Sequence, residues 1–404
     1  MGNKPSASIP REFSISKRAL KLNTAAEVEE YCNAIKEAKN LQVIRLDGNS
    51  FGVEACTALA EAIAHVRSLR EINLSDCFTG RFKEQVPPSM EAFCKVLLTL
   101  PQLQIADFSD NAFGPAGAQA IASFVAGCTS LEELRLSNNG LGPEGGKIIA
   151  EALAKLGKPT NLKRISIGRN RLENGSCEAF SKAFESLSSS LEQVAMYQNG
   201  IRSEGIFTLI TTGLSKCSKL KSLDLQDNTF TLKGSEALAA SLPKWPLLKQ
   251  LNVGDCLLGE KGCLKIIQAI SGEQAANISL LNLQYNEMDE VASQVLADRI
   301  ELFKSIEQLF LNGNNFSAKG RVGTLILTKL AAMDKNHIVD TWDDMECDLE
   351  SEEPESEAES RDESNIASRG GSQFELQDEP KEALEGEFQA SEESLVEEIE
   401  KLNI

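Results

Sequence analysis

The chain has 404 residues, 42% hydrophobic but only 5% aromatic, so its core must be built mainly from Leu, Ile, Val and Ala. Residues 341–404 hold 23 acidic and four basic side chains (Arg361, Arg369, Lys381, Lys401) and carry the whole net charge of −19, which leaves a neutral body and excludes nucleic acid as a partner of the tail, because phosphates need cations. Ten scattered cysteines without a CxxC pair, and only two histidines, His65 and His337, exclude a zinc or haem signature, so neither a metal nor a cofactor is expected.

At the N-terminus, Met1-Gly2-Asn3-Lys4-Pro5-Ser6 fits the loose MGxxx[ST] acylation pattern at Gly2. One acyl chain gives only marginal membrane binding, so no stable membrane association is expected. No apolar signal segment and no run of about 18 apolar residues occurs, and a cytoplasmic protein with reduced cysteines is expected. ISKRALKLNT, around Leu20, reads as a worn N-terminal capping repeat.

From Leu41 onward the frame LxxLxLxx(N/C)x(L/F) recurs, as in LQVIRLDGNSF, LEELRLSNNGL and LKSLDLQDNTF. The N/C slot holds Asn49, Cys77, Asn111, Asn139, Asn170, Asn199, Asn228, Cys256, Asn286 and Asn314, at spacings of 28 to 34 residues. This is the pattern of a leucine-rich repeat array with the longer, helix-bearing repeat. The expected fold is an α/β solenoid, a ribonuclease-inhibitor-like horseshoe over residues 1–340. The LxL stripe forms a strand with its leucines turned inward, strands pair in parallel on the concave face, and a helix such as Pro143–Leu156 returns on the convex face. The slot asparagine sits where the chain leaves the strand, and its amide can bond otherwise unpaired backbone.

The residue before the slot follows a different rule. This column reads Gly48, Asp76, Asp110, Asn138, Arg169, Gln198, Asp227, Asp255, Tyr285 and Gly313. It is polar and variable, and the ladder does not need its side chains. They should point from the rim toward solvent or a partner.

The second repeat breaks the rhythm with FTGRFKEQVPP, Phe78 to Pro88, where Arg81, Lys83 and Glu84 stand among Gly80 and two prolines. A stiff, projecting loop is expected there, and functional residues concentrate on such loops. Gly140-Leu-Gly142-Pro-Glu-Gly145 matches GxGxxG, but Leu141 is a core position of the repeat and sister repeats carry the same turn as FGPAG and LGEKG. A nucleotide-cradling role is rejected, and the glycines are assigned to turns with positive φ.

After Thr341 the chain has the composition of a disordered segment. Near its end Leu395, Ile399 and Leu402 fall at helical spacing, with Ser394 and Glu397 placed as a capping box. Two readings stand: a transient helix on a solvated tail, or a docking helix for a basic partner.

SDCFTGRFKEQVPP, SDNAFGP, NNGLGPEG, GRNRLENGS, QNGIRSEGI, LQDNTFTLKGSEALA, DCLLGEKG and LQYNE together resemble the Ran GTPase-activating protein family, from about Leu41 to Asn315. The array followed by an acidic tail is similar to the family's yeast-like form, and docking through the extra C-terminal domain of vertebrate members is not carried over. The resemblance implies a regulator without a nucleotide site of its own. It would bind the small GTPase Ran in its GTP form, alone or with a Ran-binding protein, speed GTP hydrolysis and support nucleocytoplasmic transport. It also implies that no arginine finger is inserted, and that an asparagine of NNGLGP steadies the GTPase's water-orienting glutamine. Asn138 is that candidate, as the member of the pair that the ladder leaves free. Arg81 in FTGR is implied for docking or for shaping the loop. Lys83, Asp110, Arg169, Asp227 and Asp255 are the further expected partner contacts, made by a monomer in the cytoplasm, its perinuclear zone included. The alternatives are a non-catalytic repeat scaffold or inhibitor of the ribonuclease-inhibitor kind, and an acidic binder of histones or importins acting through its tail.

Overall fold

Each LxL stripe forms a strand of only about three residues, too short to stand alone, and stability comes from stacking one repeat on the next. A computed structural model describes residues 11–156 and 160–345. Gly2 and the tail segment around Leu395 lie outside the described residues. Eleven strands form one sheet in chain order, every neighbouring pair parallel, from Arg11–Ser14 through Leu41–Arg45, Glu71–Asn73, Ile105–Asp107, Glu133–Arg135 and Arg164–Ser166 to Gln308–Phe310. The central residues Ile72, Ala106, Leu134 and Ile165 pair in register, and all are buried. Helices such as Gly114–Gly127, Gly142–Lys155 and Cys177–Leu187 cover that inner face. Strands stack about 4.8 Å apart and helices about 10 Å apart, so the array curves with its sheet inside. This is the expected leucine-rich repeat solenoid, and the expected helix at Pro143–Leu156 is found at Gly142–Lys155.

The slot asparagines hold adjacent repeats together. Asn139 Nδ2 donates to Leu136 O of its own repeat and to Phe108 O of the preceding one, both at 3.0 Å. Its Oδ1 accepts from Asn111 N at 2.9 Å, and Asn139 N in turn donates to Asn170 Oδ1 at 2.9 Å. The pattern continues through Asn199 and Asn228, resumes at Asn286 and Asn314, and begins at Asn49, whose Oδ1 accepts from Leu20 N. At Cys77 and Cys256 the thiol donates to Leu46 O and Leu225 O in the same place.

That ladder dictates the residue before it. Asn138 N donates to Gly168 O, and the next N–H, on Asn139, points the same way. Consecutive N–H groups aimed in one direction are impossible in a strand, where they alternate, and need a residue in a helical region, which here is the left-handed one. All ten residues of the column, Gly48 to Gly313, have φ between 49° and 68°. Solvent exposure alone therefore does not explain its composition. Glycine, asparagine and aspartate recur because they tolerate this conformation best.

Both ends of the described array are closed. The N-terminal cap begins upstream of ISKRAL with the strand Arg11–Ser14, and a second small sheet pairs Lys21–Leu22 with Ser50–Phe51. At the other end the charge count starts the tail at Thr341, yet residues to Met345 pack on the last repeat. The Asp340 carboxylate accepts from Leu311 N and Asn312 N at 3.2 and 3.3 Å, Trp342 stands edge-on to Phe316, and Met345 is buried. The sheet edge leaves those N–H groups without a next strand, and the aspartate supplies the acceptors.

Ladder and rim differ in what a substitution removes. Asn139→Ala leaves the buried Asn111 N without its acceptor and takes one of two donors from each of Phe108 O and Leu136 O, which keep Asn111 Nδ2 and Asn170 Nδ2, and it should lower stability by about 2 kcal/mol or more. Asn138→Ala loses the left-handed preference and one exposed hydrogen bond to Asp110, about 1 kcal/mol together, and Asn138→Gly should lose less. Urea unfolding followed by circular dichroism tests the order, and a larger loss for Asn138→Ala than for Asn139→Ala would contradict it.

Candidate functional site

The long second-repeat turn is shaped by one guanidinium. Arg81 Nε donates to Ser50 Oγ at 2.8 Å, Nη1 to Asn23 Oδ1 at 2.6 Å, and Nη2 to Ser50 O at 2.6 Å and Leu22 O at 3.2 Å. Every arm of the fork is committed, two bonds to the first repeat at Ser50 and two to the N-terminal cap at Leu22 and Asn23, with Ser50 Oγ also donating to Thr79 O. The side chain is half-buried and ties the loop down. The projecting part is next to it: Phe82 is 78% exposed, and Lys83 is exposed with no partner. The loop is shorter than expected, because Pro87 and Pro88 lie in the first turn of the helix Val86–Leu97, where their missing N–H groups are not needed.

Along the rim, Asp110, Asn138, Arg169 and Asp255 are exposed and Asp227 is half-buried. Register brings these residues onto successive turns, and the backbone fixes each one: Asp110 N donates to Ser137 O, Asn138 N to Gly168 O and Arg169 N to Tyr197 O, all at 2.9 Å. Asn138 Nδ2 donates to Asp110 Oδ1 at 2.8 Å, while Asn138 Oδ1 has no partner among the described residues. The Arg169 side chain has none either. Burial raises the Asp255 carboxyl pKa, and the charge of Asp227 on the preceding turn raises it further. Lys83, with the loop, belongs to the second repeat, whereas Asp227 and Asp255 sit three and four repeats beyond Asn138, so the expected contacts form a line rather than a pocket.

On the sheet face below the rim, Arg135 and Arg164 are paired. Arg135 reaches Asp107 and Glu133, and Arg164 reaches Glu133. Arg169 and Lys83 have no ion-pair partner among the described residues and are open to a partner.

The GxGxxG match is structural. Gly140 and Gly142 have φ of 60° and 63°, and Gly142 N donates to Asn170 O at 2.9 Å, so an N–H that would face a phosphate is used by the next repeat. A Cβ on Gly146 would lie 2.6 Å from Leu172 Cδ2. Among the described residues no cluster of His, Cys, Asp or Glu could hold a metal, and no helix is long and apolar enough to cross a membrane. The nine described cysteines are free and buried, and burial pushes Cys56, Cys177, Cys217, Cys256 and Cys263 up to about 12, far from a reactive thiolate. The arrangement can offer a partner positioned polar groups.

Sequence reasoning missed the Arg81 anchors Asn23 and Ser50 and the Asp110–Asn138 bond. The recurring aspartates of the rim column were the available signal for the latter.

Residues 127–150 and 216–239 match the family described as Leucine Rich repeat. The Ran GTPase-activating protein 1 of Saccharomyces cerevisiae is 35% identical over 331 residues, covering 78% of this chain and 81% of that protein. The Ran GTPase-activating protein 1 of Xenopus laevis is 40% identical over 200 residues, covering 47% of this chain and 34% of that protein. A match of that identity over most of both the yeast protein and this chain, on an unbroken repeat ladder, places the chain in the Ran GTPase-activating protein family.

Proposed function

We propose that this chain binds the small GTPase Ran in its GTP form and stimulates GTP hydrolysis without contributing a nucleotide site. Asn138 steadies the glutamine with which the GTPase orients the attacking water. Phosphoryl transfer needs positioning and electrostatics rather than covalent help, and holding a mobile glutamine in its productive rotamer is a population shift toward the competent state. The observation that carries this reading is the Asn138 carboxamide: exposed, mounted on a hydrogen-bonded left-handed turn, with its carbonyl oxygen unpartnered. A rigid acceptor on the rim suits a contact that must be made without reorganisation.

Arg81 acts by shaping the loop. Its fork is bound at four points to the cap and the first repeat, so inserting it into a nucleotide site would first require breaking those bonds. Phe82 and Lys83, exposed on the loop that Arg81 fixes, dock the GTPase. Arg169, Asp227 and Asp255 supply further rim contacts. The chain acts as a monomer in the cytoplasm, where lowering the GTP-bound form of Ran supports nucleocytoplasmic transport.

Two outcomes follow. Asn138→Gly keeps the left-handed backbone and removes the amide. It should slow single-turnover hydrolysis at saturating activator by about ten- to a hundredfold, one polar contact in a closed site, while equilibrium binding of GTP-loaded Ran is retained. Unchanged turnover at saturation with weakened binding would move Asn138 from hydrolysis to docking. Arg81→Ala should weaken binding far more than saturated turnover, and Arg81→Lys should not rescue it, because an ammonium cannot reach four acceptors in a planar fork. Full rescue by lysine would overturn the loop-shaping role.

A further inference from the structure

We infer that Asp110 is a positioning residue that sets which end of the Asn138 carboxamide faces the GTPase, an inference that rests on the role proposed for Asn138. The terminal torsion of an asparagine is broad and roughly two-fold, so an isolated exposed amide presents its carbonyl and its NH2 group almost interchangeably. Only one of these suits the task. An incoming glutamine can be held through its own NH2 group by a carbonyl acceptor, whereas a second NH2 group would meet it donor to donor.

The surroundings of Asn138 break this symmetry. Asp110 stands on the preceding turn, brought alongside by the in-register pairing of Ile105–Asp107 with Glu133–Arg135 and by the bond from Asp110 N to Ser137 O. Asn138 Nδ2 donates to Asp110 Oδ1 at 2.8 Å. A carboxylate offers acceptors, so it holds the NH2 end of the amide and leaves Oδ1 free. Arg169, on the following turn, offers donors only and could hold only the opposite end, but it makes no contact with Asn138. The direction of the amide is therefore set from the Asp110 side. Among its column mates Asp76 accepts from Thr79 Oγ1 within its own loop, and neither Asp227 nor Asp255 accepts a bond from a neighbouring rim side chain. Asp110 is the aspartate of the column that holds a rim side chain of the next repeat.

The test exploits the left-handed backbone at Asp110, φ 61°, which glycine and asparagine both tolerate. Asp110→Gly removes the carboxylate, and Asp110→Asn keeps a carbonyl acceptor in its place. Saturating single-turnover GTP hydrolysis on Ran and equilibrium binding are measured for D110G, D110N, N138G and the D110G/N138G double variant, each checked by its thermal unfolding. D110G should slow saturated turnover by about three- to tenfold with the dissociation constant nearly unchanged. D110N should recover part of that loss, and the double variant should be no slower than N138G alone, because Asp110 works through Asn138. Three results would overturn the inference while leaving the role of Asn138 standing: wild-type saturated turnover in D110G beside a slow N138G, losses that multiply in full in the double variant, or a D110G defect confined to binding. A fast N138G would instead remove the functional reading on which the inference rests.

Discussion

The array depends on one buried slot residue per repeat, an amide in eight of the ten slots and a thiol at Cys77 and Cys256. The slot asparagine accepts a backbone N–H from the repeat before it and donates to a carbonyl there and to one in its own turn. Strands of three residues contribute few ladder bonds, so these side-chain bonds fix the stacking register where the chain leaves the sheet. At the same turn two successive N–H groups point toward the next repeat, and the preceding residue sits in the left-handed region. The rim is thus a by-product of the ladder: a row of side chains on rigid turns, each displaced one strand from the last.

A rigid row of this kind suits a protein that acts on another protein's chemistry. A loop site would have to be ordered on binding, with an entropy cost for each side chain immobilised. Here the backbone under Asn138 is already bonded on both sides, and Asp110 restrains the side chain itself. The second repeat adds the one large departure from regularity, and Arg81 keeps that departure from becoming a flexible insertion. Local rigidity at both places is what links the repeat fold to the proposed activity.

Much of this was legible in the sequence because it is periodic. Ten slot residues at near-constant spacing reveal strand, turn and helix at once, and Asn139 separates from Asn138 by register alone. The φ requirement of the rim column was also written there, in two glycines, four aspartates and an asparagine, but the column read as polar because it was exposed. What could not be read were contacts between residues far apart in the chain that no repeat relates. Arg81 meets Asn23 across 58 positions, and Asp340 caps Leu311 and Asn312 although its neighbours carry the charge of the tail. Prolines 87 and 88 looked like loop stiffeners because proline opens helices and shapes turns with the same fixed φ.

The central claim is that Asn138 works through the GTPase's own glutamine. The most direct measurement is a cycle across the interface: saturated single-turnover hydrolysis for the wild-type chain and Asn138→Gly, each against Ran and against Ran with that glutamine replaced by alanine. The account predicts that Asn138→Gly slows hydrolysis on unmodified Ran and has almost no further effect once the glutamine is gone. An equal loss on both forms of the GTPase would contradict it, and would mean that Asn138 acts on the reacting groups by a route of its own.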